Sequence, residues 1–168
     1  MTQNVLHNKV TNLKSDTGIS DESRQDVARL LADSLADTYR LFANTQGVHW
    51  NVQGPLFYSI HKLTEEQYED MFEAIDDIAE RIRALGSPAP QTLGEFAERS
   101  EVTDVNIKGD LKMQIRDLID ANELTARRMR AAVMKAEEYG DVKTADLLTS
   151  RIGSHEENAW MLRATIAS

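Results

Sequence analysis

Apolar residues recur along this chain at intervals of three and four, the spacing that builds one face of an α-helix. No segment reads as a half-buried strand. Val27, Leu30, Leu31, Leu35, Tyr39 and Phe42 form the first stripe. Ser20 or Asp21 can cap its start, because a short side-chain oxygen accepts from the free amides of a first turn. This helix is expected to end around residues 47–51, ahead of a turn at Gly54-Pro55. Ile60, Leu63, Met71, Phe72, Ile75, Ile78, Ile82 and Leu85 predict a second helix over about 59–85. Gly86 stands where a C′ glycine belongs, and Pro88 and Pro90 block continuation. Ile115, Leu118, Ile119, Met129, Val133 and Ala136 predict a third helix from about Asn106 to Tyr139, closed by Gly140. Leu148, Ile152, Ala159 and Leu162 predict a fourth over about 141–166, with Asp141 as its cap. Between the second and third, residues 92–99 suit a short helix of two turns.

Short connections join the first helix to the second and the third to the fourth, giving two antiparallel hairpins. The long connection between the hairpins can cross the bundle. The fold class is therefore all-α, a four-helix bundle over residues 21–168. Residues 1–20 are polar and mixed and read as a flexible N-terminal arm. At 168 residues, 41% hydrophobic and 28% charged, the chain suits one domain with a real core. With 28 acids against 19 bases the formal net charge is −9, which excludes a globally basic DNA-coating protein. The chain has no cysteine, so disulfides, thiolate zinc sites, thiol catalysis and cysteine-held clusters are all excluded. No apolar run reaches the length of a membrane helix or a signal peptide. A cytoplasmic protein with no membrane partner is the expectation.

The second helix carries the chemistry. His61 and Glu65 are four positions apart and share a face, as do Asp76 and Glu80. Glu65 and Asp76 are three turns apart, so both pairs lie on nearly one side. Imidazole with carboxylate is a donor set for Fe2+, Mn2+ or Zn2+. One chain cannot use all four on one ion, since His61 and Asp76 are separated by about 22 Å of helix and metal bonds are about 2 Å long. Two copies of the helix, antiparallel about a two-fold axis level with Asp70, bring His61 and Glu65 of one against Asp76 and Glu80 of the partner subunit. The bland alternative is a solvated face of surface ion pairs, the default for acids at this spacing. His49, at the end of the first helix, is by itself more often a packing residue than a ligand.

The stretch from His49 to Gly86, HWNVQGPLFYSIHKLTEEQYEDMFEAIDDIAERIRALG, resembles the Dps family of miniferritins in its HWNV-x-G-x-x-F-x-x-x-H block, its D-x-x-A-E-R-I segment and its LG-x-x-P turn. The resemblance implies a ferritin-like bundle assembled as a hollow dodecameric homo-oligomer, with ferroxidase centres at two-fold interfaces. His49, His61 and Glu65 would come from one subunit, and Asp76 and Glu80 from its partner. Glu65 stands where the family often has Asp. The implied reaction is Fe2+ oxidation, preferably by hydrogen peroxide, with Fe3+ stored as mineral, protection against oxidative damage, and Zn2+ as a competing metal. Trp50 is the candidate for taking up a stray oxidising equivalent, or equally an aromatic interface anchor. Glu137, Asp141 and Asp146 are candidates for acidic pores admitting iron, although Asp141 can simply cap a helix. His155 lacks the Glu-x-x-His partner of conventional ferritins and reads as structural or interfacial. Some relatives bind DNA through a lysine-rich arm. Here Lys9 and Lys14 are the candidate contacts, and the acidic shell weighs against binding at neutral pH.

Overall fold

A computed structural model describes residues 9–167. Its elements are α1 (Asp21–Asn51), α2 (Phe57–Ala84), the short α3 (Leu93–Arg99), α4 (Leu111–Glu138) and α5 (Val142–Ile166). The long helices pack chiefly as two hairpins, α1 with α2 and α4 with α5, with α1 and α4 joining them. Among the described residues there is no strand, and no helix is long and apolar enough to cross a membrane.

Four of the five helix starts rest on side-chain caps. Ser20 Oγ accepts from the Ser23 amide at α1, Thr92 and Glu95 form a capping box at α3, and Asp141 accepts from the Thr144 amide at α5. The third long helix begins later than its apolar pattern suggested. Asp110 caps α4 by accepting from the Met113 amide, while residues 106–109 form a turn in which the Gly109 amide donates to Asn106 O. Asn106 is thus a turn residue, and Gly109 lies outside the helix.

The core has two apolar halves. One gathers Leu41, Val48, Ile60, Met71, Ile115, Leu118 and Leu162, and the other Leu31, Leu35, Ile78, Ile82, Met129 and Leu148. Between them runs a polar waist that includes Thr38, Asn122, Thr125, Arg151, His155 and Asn158, all buried. Asp37 ties this level together. It accepts from Arg128, from the Ser100 hydroxyl and from the Glu101 amide, so one buried carboxylate joins α1 to α4 and to the connection after α3. Burial pushes its carboxyl up from the ordinary range, with Arg128 opposing. Phe72 is not part of the core as its place in the stripe suggested: it is 67% exposed.

Residues 9–19 form no helix, but they are tied down against the end of α2. The Leu13 amide donates to Gly86 O at 2.7 Å and Ser15 Oγ to Ala84 O, so the strap satisfies carbonyls at the end of α2. Gly86 has φ +96°, and a Cβ there would stand 2.5 Å from Leu13 O. Gly86→Ala is therefore expected to destabilise the fold by about 2–3 kcal/mol, from left-handed backbone strain and from this clash. Chemical denaturation measures the loss, and faster proteolysis around residues 13–15 would show the strap released.

Candidate metal centre

The α1–α2 hairpin brings its two histidines together. His49 is buried in the last turn of α1, and His61 lies half-buried one turn into α2. Their rings stack with centroids 3.9 Å apart and planes 15° apart. Each ring is clamped by the other residue's backbone. His49 Nδ1 is 2.8 Å from His61 O, and His61 Nδ1 is 3.0 Å from His49 O. A carbonyl oxygen only accepts, so both Nδ1 atoms carry the proton and donate it. With Nδ1 as the donor, Nε2 is the atom left to carry a lone pair in a neutral ring, the form in which imidazole binds a metal. Phe57 stacks on the outer side of His61, and Tyr68 meets the His49 ring edge-on.

Glu65 lies one turn beyond His61, half-buried, with its Oε2 2.5 Å from Lys62 Nζ. That hydrogen bond holds the Glu65 carboxyl below its ordinary range, helped by the nearby imidazoles. Asp76 and Glu80 are exposed further along α2, and Asp76 borders a surface groove with Phe72, Ile75 and Ala79. Among the described residues, no three His, Asp or Glu side chains of the one chain converge as a metal cage. His49 and His61 are brought together; Asp76 and Glu80 stand apart from them.

The remaining sequence candidates fall into distinct places. Trp50 is 68% exposed, and the rings against the histidine pair are Phe57 and Tyr68 instead. The F-x-x-x-H spacing was the signal for Phe57; nothing local marked Tyr68, which reaches the pair only through the hairpin. Asp141 takes the helix-capping role that the sequence offered beside the pore role. It is 1% exposed, bonded to Arg81 at 2.7 Å and to both the amide and hydroxyl of Thr144, so its oxygens are spent inside the chain. Asp146 and Glu137 are exposed at the same turn, with Asp146 3.2 Å from Lys143. His155 is fully buried and bonded to Asn122 at 2.9 Å, which makes it structural. Lys9 and Lys14 are exposed.

The bundle and its histidine-bearing hairpin agree with the family match. Residues 28–168 match the ferritin-like domain, and the chain belongs to the ferritin-like family. It is 40% identical over 153 residues to an uncharacterized low temperature-induced protein of Nostoc, covering 89% of this chain and 84% of that one. It is 30% identical to the DNA protection during starvation protein of Porphyromonas gingivalis, over 88% of this chain and 93% of the relative. The structure of the Vibrio cholerae Dps protein, described as a member of a broad superfamily of ferritin-like diiron-carboxylate proteins, superposes with a TM-score of 0.85 at 26% identity, over 94% of this chain and 100% of that one. Within the ferritin-like family the chain is a Dps miniferritin.

Proposed function

We propose that this protein oxidises Fe2+, preferably with hydrogen peroxide, and stores the ferric product inside a dodecamer of identical chains. The observation that carries this reading is the clamped histidine pair, whose Nδ1 atoms are both engaged with backbone carbonyls so that Nε2 is left as the metal-binding atom of each ring. The donor set completes itself with Glu65 of the same chain and with Asp76 and Glu80 of the partner subunit, in the antiparallel pairing that the spacing along α2 demands. Exposed Trp50, Phe57, Tyr58 and Phe72 support burial of this face against a second copy. Carboxylates favour Fe3+ over Fe2+, and the paired site lets two ferrous ions give one electron each. Two Fe2+, one H2O2 and two protons then yield two Fe3+ and two waters, with no hydroxyl radical released. Zn2+ suits the same donors and competes. A formal charge of −9 per chain suits a cation store and repels phosphate, so DNA binding through Lys9 and Lys14 stands as the second reading.

Mixing two inactive variants tests the shared centre. His49→Ala/His61→Ala and Asp76→Asn/Glu80→Gln are each expected to be inactive as homo-oligomers. Reassembled together at equal amounts, half of the dimers are mixed and each mixed dimer holds one intact centre, so about a quarter of the activity returns. No recovery in a mixed assembly of normal size would sink the interface reading. At the α4–α5 turn, Asp146→Asn is expected to slow iron uptake without changing metal affinity at the histidine pair. Unchanged stopped-flow uptake would remove Asp146 from the path.

A further inference from the structure

Lys62 is absent from the ligand set that the sequence suggests, yet it stands inside it. It follows His61 directly, and its Nζ holds Glu65 Oε2 at 2.5 Å. As a contribution to stability an exposed pair three residues apart counts for little. Its position is what matters. Glu65 is the carboxylate nearest in sequence to the histidine pair on α2, and in this chain it bonds the ammonium rather than joining the imidazoles in a three-ligand cage. A divalent ion bound at this end of α2 and the Lys62 ammonium therefore compete for the same carboxylate. The proposed centre gathers three carboxylates about two imidazoles, and Lys62 offsets one of those charges when no metal is there.

We propose that Lys62 is a positioning residue that holds Glu65 in the metal-free protein and must release it before Glu65 can ligate, so that it sets the threshold for divalent metal binding. This rests on the reading of His49, His61 and Glu65 as one end of the metal centre. Its consequence is that removing the lysine tightens metal binding, the reverse of what losing a ligand does.

The test is a Co2+ titration of the full-length assembled protein, followed by the visible absorption of the ion. Lys62→Gln is expected to bind Co2+ about threefold more tightly than wild type, the worth of an exposed ion pair expressed as affinity. Lys62→Arg is expected to restore wild-type affinity. In a Glu65→Gln background, Lys62→Gln should change nothing, because the coupling runs through that carboxylate. The gap between wild type and Lys62→Gln should narrow as salt is raised. Equal or weaker binding by Lys62→Gln overturns the inference, and so does an equal gain in the Glu65→Gln background, which would indicate a long-range charge effect only. A wild type that takes up no Co2+ at the imidazoles overturns the metal-centre reading, and this inference with it.

Discussion

His61→Ala is expected to lower the rate of Fe2+ oxidation by hydrogen peroxide at least about 100-fold, because it removes a ligand and unseats a second one. Loss of a group that merely orients a metal ligand costs about 10–100-fold. His61 does more than orient. It supplies one Nε2, its ring covers the His49 ring, and its Nδ1–H donates to His49 O. Without it, His49 keeps its own bond to the carbonyl of residue 61 but loses the stacked ring that fixes its plane. Wild type should bind about two Fe2+ per centre under anaerobic titration, the usual carboxylate-bundle arrangement. Addition of stoichiometric peroxide should then give fast oxidation in wild type alone. His61 is half-buried at one end of the hairpin, so helix content and assembly size should not change. Fast oxidation by a correctly assembled His61→Ala protein would refute the proposed centre.

The second large effect is acid lability. His155 is fully buried in the polar waist, and its pKa is lowered to about 3, first by burial and then by the Arg151 guanidinium, with Asp70 opposing. Asn122 Nδ2 donates to Leu118 O, which turns its Oδ1 toward His155, so His155 Nδ1 is the donor and the ring is neutral. An unfolded chain takes up a proton on this residue near pH 6.5, whereas the folded chain does so only near 3. The stability contribution is therefore complete above about pH 6.5 and is lost as pH falls toward 3, at about 1.4 kcal/mol per pH unit for each chain. At pH 4.5 the loss is about 3 kcal/mol, a large share of the stability of an ordinary domain. Melting temperatures followed by circular dichroism between pH 7 and 4 should fall steeply in wild type. His155→Gln should melt lower at pH 7 but with a flatter slope. Equal slopes would show that other groups control the acid limb.

Periodicity made the helices legible, because stripes such as Val27 to Phe42 and Ile115 to Ala136 face a core whatever their partners are. Local chemistry made the stops legible, as at Gly86 and Gly140. The start of α4 is not legible locally because Asn106 and Asp110 are both good caps, and the choice between them turns on the contact of the Asn106 amide with Asp117 eleven residues on. Phe72 fits an apolar stripe by spacing, yet it lies on the edge of the helix that turns outward. The histidines could be named as candidates from motif and spacing, but their carbonyl clamps depend on how the α1–α2 hairpin closes. Asp141 shows the limit most plainly. Nothing near it announces Arg81, sixty positions earlier, and that ion pair decides that the carboxylate is buried.

The Arg81–Asp141 pair pins the α4–α5 turn to α2 one residue beyond Glu80. The carboxylate end of α2 is thus braced by a buried charge contact, whereas its imidazole end, about 30 Å away along the helix, is braced by ring-to-carbonyl hydrogen bonds. Under the antiparallel pairing each protomer lends one end to each of two centres. A single chain damaged at the turn would therefore starve a neighbour's histidines of their acids while still offering sound histidines of its own, so defects in a mixed shell would spread by halves rather than by whole subunits.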